Sequence, residues 1–218
     1  MNLGLTVIDD TFAEAFPMRF ARLIVTAADE YWVDIACREF SGNATSVIGC
    51  DAEIGVECKL AAAETPDGHP GAALLVFGFS SGSVMKSIVA RTGQCLLPCA
   101  TTAVYDGLAE AEKRVALGKQ IRFFGDGYQK SKVIAGRRYW RVPGMDGEFL
   151  VEDTAGVGTG VGGGNLILHG RSAAATLAAA RRAAAAVEAA PGVIAPFPGG
   201  VVRSGSKVGS KYKKLPAS

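Results

Sequence analysis

Ser206, Lys207, Ser210 and Lys211 stand within a single six-residue stretch near the end of the chain. They follow Pro196-Phe197-Pro198-Gly199-Gly200, where the prolines stiffen the entry and the glycines allow backbone angles closed to other residues. Bare N–H groups, hydroxyls and ammonium groups in one segment can cradle a carboxylate or a phosphate from several sides. The segment is not a P-loop, because Gly205 and Gly209 are too close together and Lys211 follows Ser210 instead of preceding it. The competing reading is a flexible basic loop. A second cluster is the glycine run from Gly156 to Gly164. Gly158, Gly160 and Gly163 match G-x-G-x-x-G, but a dinucleotide fingerprint needs a helix directly after the glycines. Asn165-Leu166-Ile167-Leu168 reads as a strand, which rejects that site. The run reads instead as a turn between two strands, its backbone open to a ligand or a neighbouring subunit.

Other chemistries lack their residues. The 218-residue chain has two histidines, five cysteines and no CxxC, which argues against zinc. An odd number of cysteines spread over a chain of this size is not a disulfide framework and fits a reducing cytosol. Cys95 and Cys99 read as two packed thiols. No Ser-His-Asp or Cys-His arrangement is recognisable. A net charge of +2, with the signs interspersed, argues against nucleic acid as a partner. No signal peptide opens the chain, and Arg181 and Arg182 break its longest apolar run, so neither secretion nor a membrane span is expected.

The elements that must position these groups follow from periodicity. Leu3 to Ile8 reads as a short first strand, and Thr11-Phe12-Ala13-Glu14 has the spacing of a capping box. Phe20 to Thr26 is a strand, and Asp29 opens a helix through Glu39, with Trp32 in the core. Thr45 to Cys50 and Ala72 to Phe79 read as strands around the turn Thr65 to Gly71. Ser83 caps a helix to about Thr92, and Gln94 to Leu97 returns as a strand. This β-α-β-β-α-β order predicts a ferredoxin-like α/β sandwich. A connecting region holds Asp126 as a turn residue between glycines, and Pro143-Gly144 marks a boundary. Glu148 to Asp153 then starts a second unit, with a strand at Asn165 to His169, an alanine helix capped by Ser172 and a returning strand at Val193 to Ala195. The expected organisation is α+β. An N-terminal (proximal) ferredoxin-like lobe with its connecting region occupies residues 1–143, and a partial C-terminal (distal) one occupies 144–218.

Several strings, in order along nearly the whole chain, resemble the formylmethanofuran:tetrahydromethanopterin formyltransferase family. They are Ile8 to Phe16, Glu64 to Gly68, Phe123 to Gln129, Gly147 to Phe149 with Val151 to Asp153, Ala195 to Gly200, and Ser206 to Lys211. The resemblance implies two related α/β lobes, a cytoplasmic homotetramer and a site at a subunit interface. It implies formyl transfer between the amine of methanofuran and N5 of tetrahydromethanopterin, with both C1 carriers as substrates and no bound cofactor or metal. The near-neutral, alanine-rich composition is more like versions from methylotrophic bacteria, which work with formylmethanofuran-hydrolysing subunits in formaldehyde oxidation. Family members continue beyond Ser218 and carry there a glutamate implicated in proton transfer. The second lobe is therefore expected to be incomplete, and the chain alone inactive.

Formyl transfer between amines needs donors for an oxyanion and a group that moves protons, with no nucleophilic side chain. On that expectation Glu148, Glu152 and Asp153 are the proton-transfer candidates, each competing with a solvated strand edge or a subunit salt bridge. Gly162, Gly163, Gly164 and Asn165 would supply backbone and amide hydrogen bonds. Ser206, Lys207, Ser210 and Lys211 would hold the anionic tails of the carriers. The alternative is a truncated, non-catalytic carrier-binding or scaffolding subunit.

Overall fold

The computed structural model describes residues 2–9, 15–145 and 147–203. A small hairpin, β1 (Asn2–Leu3) with β2 (Thr6–Val7), precedes the long strand β3 (Phe16–Thr26). Asp29 then caps α1 (Glu30–Ser41), its Oδ1 accepting from the Trp32 N–H at 3.1 Å. β4 (Glu53–Leu60), β5 (Gly71–Gly78), α2 (Ser81–Arg91) and β6 (Ala103–Asp106) complete a β-α-β-β-α-β unit. Its strands lie in the order β4-β5-β3-β6, all antiparallel, which is the ferredoxin-like arrangement that the sequence predicts. The alternation of β3 explains which face the helices cover. Ala21, Leu23 and Val25 are fully buried, and Phe20, Arg22 and Ile24 between them are half-buried. Leu23, Val25, Leu74 and Val76 join Val33, Phe40, Val84 and Ile88 from the two helices in one core. Each such side chain contributes about 1.5–3 kcal/mol on burial.

Arg91 closes the helical layer. It donates to the carbonyls of Phe40 (2.6 Å) and Gly42 (2.8 Å), where α1 ends, and to Asp51 at 2.6 Å. These bonds satisfy acceptors that a helix end leaves free.

The remaining elements are β7 (Arg114–Ala116), α3 (Gly118–Ile121), β8 (Lys130–Ile134), β9 (Arg137–Pro143), β10 (Glu148–Glu152), β11 (Thr154–Gly156), β12 (Gly158–Gly162) and α4 (Ala173–Glu188). The first sheet continues across the expected boundary at Pro143-Gly144. β10 pairs parallel with β6 and antiparallel with β9, so the first sheet runs on as β6-β10-β9-β8. The apolar alternation of Phe149 and Val151 is buried in the same core as β3, and this ties the segment to the first sheet.

Six other local expectations shift. Thr45 to Cys50 forms turns, with Asn43 at φ 51° and Ile48 exposed, and the strand lies at β4 instead. Gln94 to Leu97 continues α2 as a wide helical turn over Thr92–Leu96, and β6 is the returning strand. Ser80, not Ser83, caps α2, because the two serines bond each other's backbone N–H groups reciprocally. Asn165 to His169 and Val193 to Ala195 carry no strand pairing. The glycine run is itself a strand: β12 lies antiparallel against Phe16 to Phe20 of β3. The cap at Ser172 and the turn at Asp126 (φ 49°) stand where the sequence puts them. The Thr11-to-Glu14 spacing lies outside the described residues.

Candidate functional site

Two concave features flank the strands that carry the predicted site residues. The first is a cleft of about 310 Å³ lined by Arg114, Arg137, Arg138, Glu152, Asp153 and Thr154, among others. Register builds it: Glu152 stands opposite Tyr139 at the end of β10, beside Arg137 at the start of β9. The Glu152 carboxylate is 2% exposed, so every acceptor site on it needs a donor. Arg137 bonds it twice, at 2.7 and 2.6 Å, and the Asp106 N–H donates at 2.9 Å. Asp106 is buried beside it and receives Arg114 at 2.6 Å and the Leu108 and Gly156 N–H groups at 3.0 Å. Hydrogen bonding to Glu152 holds the Arg137 guanidinium firmly protonated, against some desolvation. Two buried acids thus neutralise two half-buried arginines.

Asp153 is half-buried at the same cleft. Its Oδ1 accepts from Trp140 Nε1 at 2.5 Å, and its carbonyl accepts from the N–H groups of Leu117 and Lys119 at the start of α3. Glu148 sits apart, exposed on β10 and ion-paired with Arg141 of the neighbouring strand. The structure therefore brings Glu152 and Asp153 together and leaves Glu148 at a strand edge.

The second feature is a groove of about 500 Å³ on the sheet face that the helices leave open. Phe20 and Phe77, cross-strand partners on β3 and β5, stack at 5.4 Å between centroids with an interplanar angle of 24°. Arg22, two positions along β3, donates to Glu57 at 2.5 Å, and Glu57 also accepts from the Gly192 N–H at 3.0 Å. Gly160 lines the groove, and Gly158 and Gly160 pack against these rings so closely that a Cβ would lie 2.7 Å from Phe20 at Gly158 and 2.9 Å from Phe77 at Gly160. Gly162 pairs with Phe16 at the end of β12, and Gly163 (φ 83°) and Gly164 (φ 153°) turn the chain away towards Asn165, which is exposed. Ser206, Lys207, Ser210 and Lys211 lie outside the described residues.

Sequence reasoning missed Asp106, Arg114 and Arg137 in the cleft and Phe20, Arg22, Glu57 and Phe77 in the groove. A signal for the groove is present: in Phe20-Ala21-Arg22-Leu23-Ile24, an arginine alternates with large apolar residues on one face. The cleft gives no such signal for Asp106, Arg114 and Arg137, which come from separate strands joined only by pairing.

Elsewhere, burial pushes the Cys37 thiol up to about 11. Cys95 and Cys99 pack against the same core. Among the described residues no three His, Cys, Asp or Glu side chains come together as metal ligands, and no helix is long and apolar enough to cross a membrane.

Comparison with known proteins gives a consistent result. A family model described as formylmethanofuran-tetrahydromethanopterin formyltransferase matches residues 1–144. A second, described as FTR, proximal lobe, matches residues 147–218, and so gives the C-terminal segment the name that the sequence reading gives the N-terminal one. A curated relative of the first description from Methylobacillus flagellatus is 54% identical over the whole of this chain and 73% of its own length. One from Archaeoglobus fulgidus is 45% identical over all of this chain and 74% of its own. Among solved structures, the formyltransferase/hydrolase complex from Methylorubrum extorquens with methylofuran superposes with a TM-score of 0.92 at 48% identity, covering 97% of this chain and 70% of that one. The formyltransferase of Methanosarcina barkeri superposes at 0.90 with 45% identity, covering 99% and 73%.

Proposed function

Because the chain belongs to the formylmethanofuran–tetrahydromethanopterin formyltransferase family, we infer that it moves a formyl group between methanofuran and N5 of tetrahydromethanopterin. The observation that carries this is the extent of the match: two family models span nearly the whole chain, and relatives from bacteria and archaea remain 45–54% identical across it. The pterin N5 attacks the formyl carbon, a tetrahedral oxyanion forms, and the bond from carbon to the methanofuran nitrogen breaks. One proton leaves the attacking nitrogen and one reaches the departing nitrogen. Both carriers are substrates, and the chain's own contribution is to bind, orient and move protons.

Among the three carboxylates, the roles divide by hydrogen bonding. Glu152 accepts from Arg137 at both oxygens and from a backbone N–H besides, so its oxygens are occupied and it positions Arg137 at the cleft. Asp153 receives the Trp140 indole on one oxygen and lines the same cleft, which suits it to hold a proton in transit. Glu148, tied to Arg141, suits a contact at the strand edge or with a neighbouring subunit. Lys207 and Lys211, with Ser206 and Ser210, suit the anionic tails of the carriers, and Gly162 to Asn165 suit backbone contacts. We also assign the protein to the cytoplasm, to a homotetramer and to association with hydrolysing subunits, the last by analogy with the Methylorubrum extorquens complex.

The test is steady-state transfer with both carriers. Asp153→Asn is expected to lower kcat about 10²-fold or more with KM little changed, as loss of acid–base help does. Turnover that Asp153→Asn leaves intact would remove that residue from the chemistry, and wild-type protein that binds neither carrier would refute the function.

A further inference from the structure

We propose that Trp140 is a positioning residue for Asp153: its indole N–H fixes the carboxylate at the cleft, and Arg122, stacked on the indole face, holds the ring. The inference rests on the reading of Asp153 as proton carrier for its purpose, and on the geometry for its place.

Asp153 stands one residue past the end of β10, and its backbone is pinned on both sides. Its N–H donates to the Arg138 carbonyl at 2.9 Å, and its own carbonyl accepts from Leu117 at 3.0 Å and Lys119 at 3.1 Å. The side chain is what stays free to turn, since the terminal torsion of an aspartate is broad and roughly two-fold. A group that moves a proton at a defined place needs that torsion fixed. One bond does this. Trp140 stands on β9 opposite Val151, two positions before Asp153, and its Nε1 donates to Asp153 Oδ1 at 2.5 Å. Among the described residues Oδ2 makes no hydrogen bond, so one oxygen is anchored and the other keeps its lone pairs. An indole N–H suits the task because it only donates and carries no charge. It steers the carboxylate without competing for the proton.

Two neighbours fix the indole in turn. At Gly118, the first residue of α3, a Cβ would lie 3.0 Å from Trp140 Cδ1, the atom beside Nε1. The glycine lets the N–H edge lie close against the same turn that binds the Asp153 carbonyl. On the ring face, the Arg122 guanidinium carbon lies 4.7 Å from the Trp140 centroid and 4.8 Å from that of Phe123. Its Nε is buried without a hydrogen-bond partner. Buried guanidinium nitrogens ordinarily find an acceptor, so the two ring faces are what hold this one. A cation on the face draws on the π density of the indole, which strengthens the N–H at its edge as a donor. Packing against the core accounts for the presence of the Trp140 ring, but not for the direction of its N–H.

The test separates the N–H from the ring. Trp140→Phe keeps an aromatic face for Arg122 and for the core but has no donor. It is expected to lower kcat about tenfold or more, with KM for each carrier moving less than about twofold. In an Asp153→Asn background the same change should alter kcat less than about twofold, because it acts on the chemistry through that carboxylate. A second measurement needs no turnover. The chain has two tryptophans, so the Trp140 indole N–H resonance is identified by its loss in Trp140→Phe. Asp153→Asn and Arg122→Met should each shift it upfield, and Arg122→Lys should shift it less than Arg122→Met. Thermal melts identify variants that fail to fold, and the resonance in Asp153→Asn, where Trp140 is intact, then decides. An indole resonance that ignores Asp153→Asn or Arg122→Met would overturn the inference. So would effects on kcat that multiply in the double variant, or Trp140→Phe at wild-type kcat beside a slow Asp153→Asn. Asp153→Asn with wild-type kcat and a shifted indole resonance would instead refute Asp153 as the proton carrier and leave the contact standing.

Discussion

A buried carboxylate that accepts three hydrogen bonds is a structural anchor before it is anything else, and Glu152 meets that description with Arg137 and the Asp106 N–H. Removing it by Glu152→Ala leaves the guanidinium with lost partners and is expected to cost about 3 kcal/mol, towards the low end for a broken buried pair because Arg137 is one-third exposed. Urea unfolding measures this. A second residue-scale expectation concerns acid. The Arg91 hydrogen bond, with Ser87 assisting and burial opposing, holds the Asp51 carboxyl below its usual value. A lowered folded-state value contributes stability above the unfolded value, near pH 4, and that contribution is lost as pH falls through the folded one. Asp51→Asn should therefore destabilise the protein at pH 7, and the difference should shrink as pH falls below the unfolded value, as melts in acid would show. Thiol labelling gives a third expectation. Backbone hydrogen bonds from Ser46 and Thr45 lower the Cys50 thiol at an exposed turn, whereas burial raises Cys37 to about 11. At pH 8 Cys50 should react quickly and Cys37 only on unfolding.

The elements show how far sequence patterning reaches. The strand at Phe20 to Thr26 and the helices capped by Asp29 and Ser172 were legible, because alternation and side-chain caps are local signals. The misplaced strands share one cause. Val47-Ile48 and Leu166-Ile167-Leu168 are apolar and β-prone but have no partner strand, and Ile48, Leu166 and Ile167 are largely exposed. β4, whose exposed positions hold Val56, Cys58 and Lys59, has a full partner in β5. Pairing, which sequence does not display, decided between them. The glycine strand is the plainest instance: glycines disfavour a strand by propensity, yet β12 forms because close approach to Phe20 and Phe77 leaves no room for a side chain. Gly158→Ala is expected to lose about 1–3 kcal/mol by overpacking against Phe20, read as a fall in Tm.

At the scale of the whole molecule, the first lobe's strand order was legible from the βαββαβ rhythm, and the family from strings such as Phe123 to Gln129. The site was legible only in part. Glu152 and Asp153 were found because they sit together in sequence, but Asp106, Arg114 and Arg137 reach them through three-dimensional pairing of β6, β7 and β9 with their neighbours. Phe20 and Phe77 are joined in the same way, 57 positions apart across the β3–β5 register. Direct transfer of the formyl group between two carriers leaves an isotopic signature. Formylmethanofuran labelled with ¹³C in the formyl group is incubated with tetrahydromethanopterin and the protein in an excess of unlabelled formate. Full ¹³C retention at N5 of the product is the predicted result. Label diluted into the formate pool would contradict it.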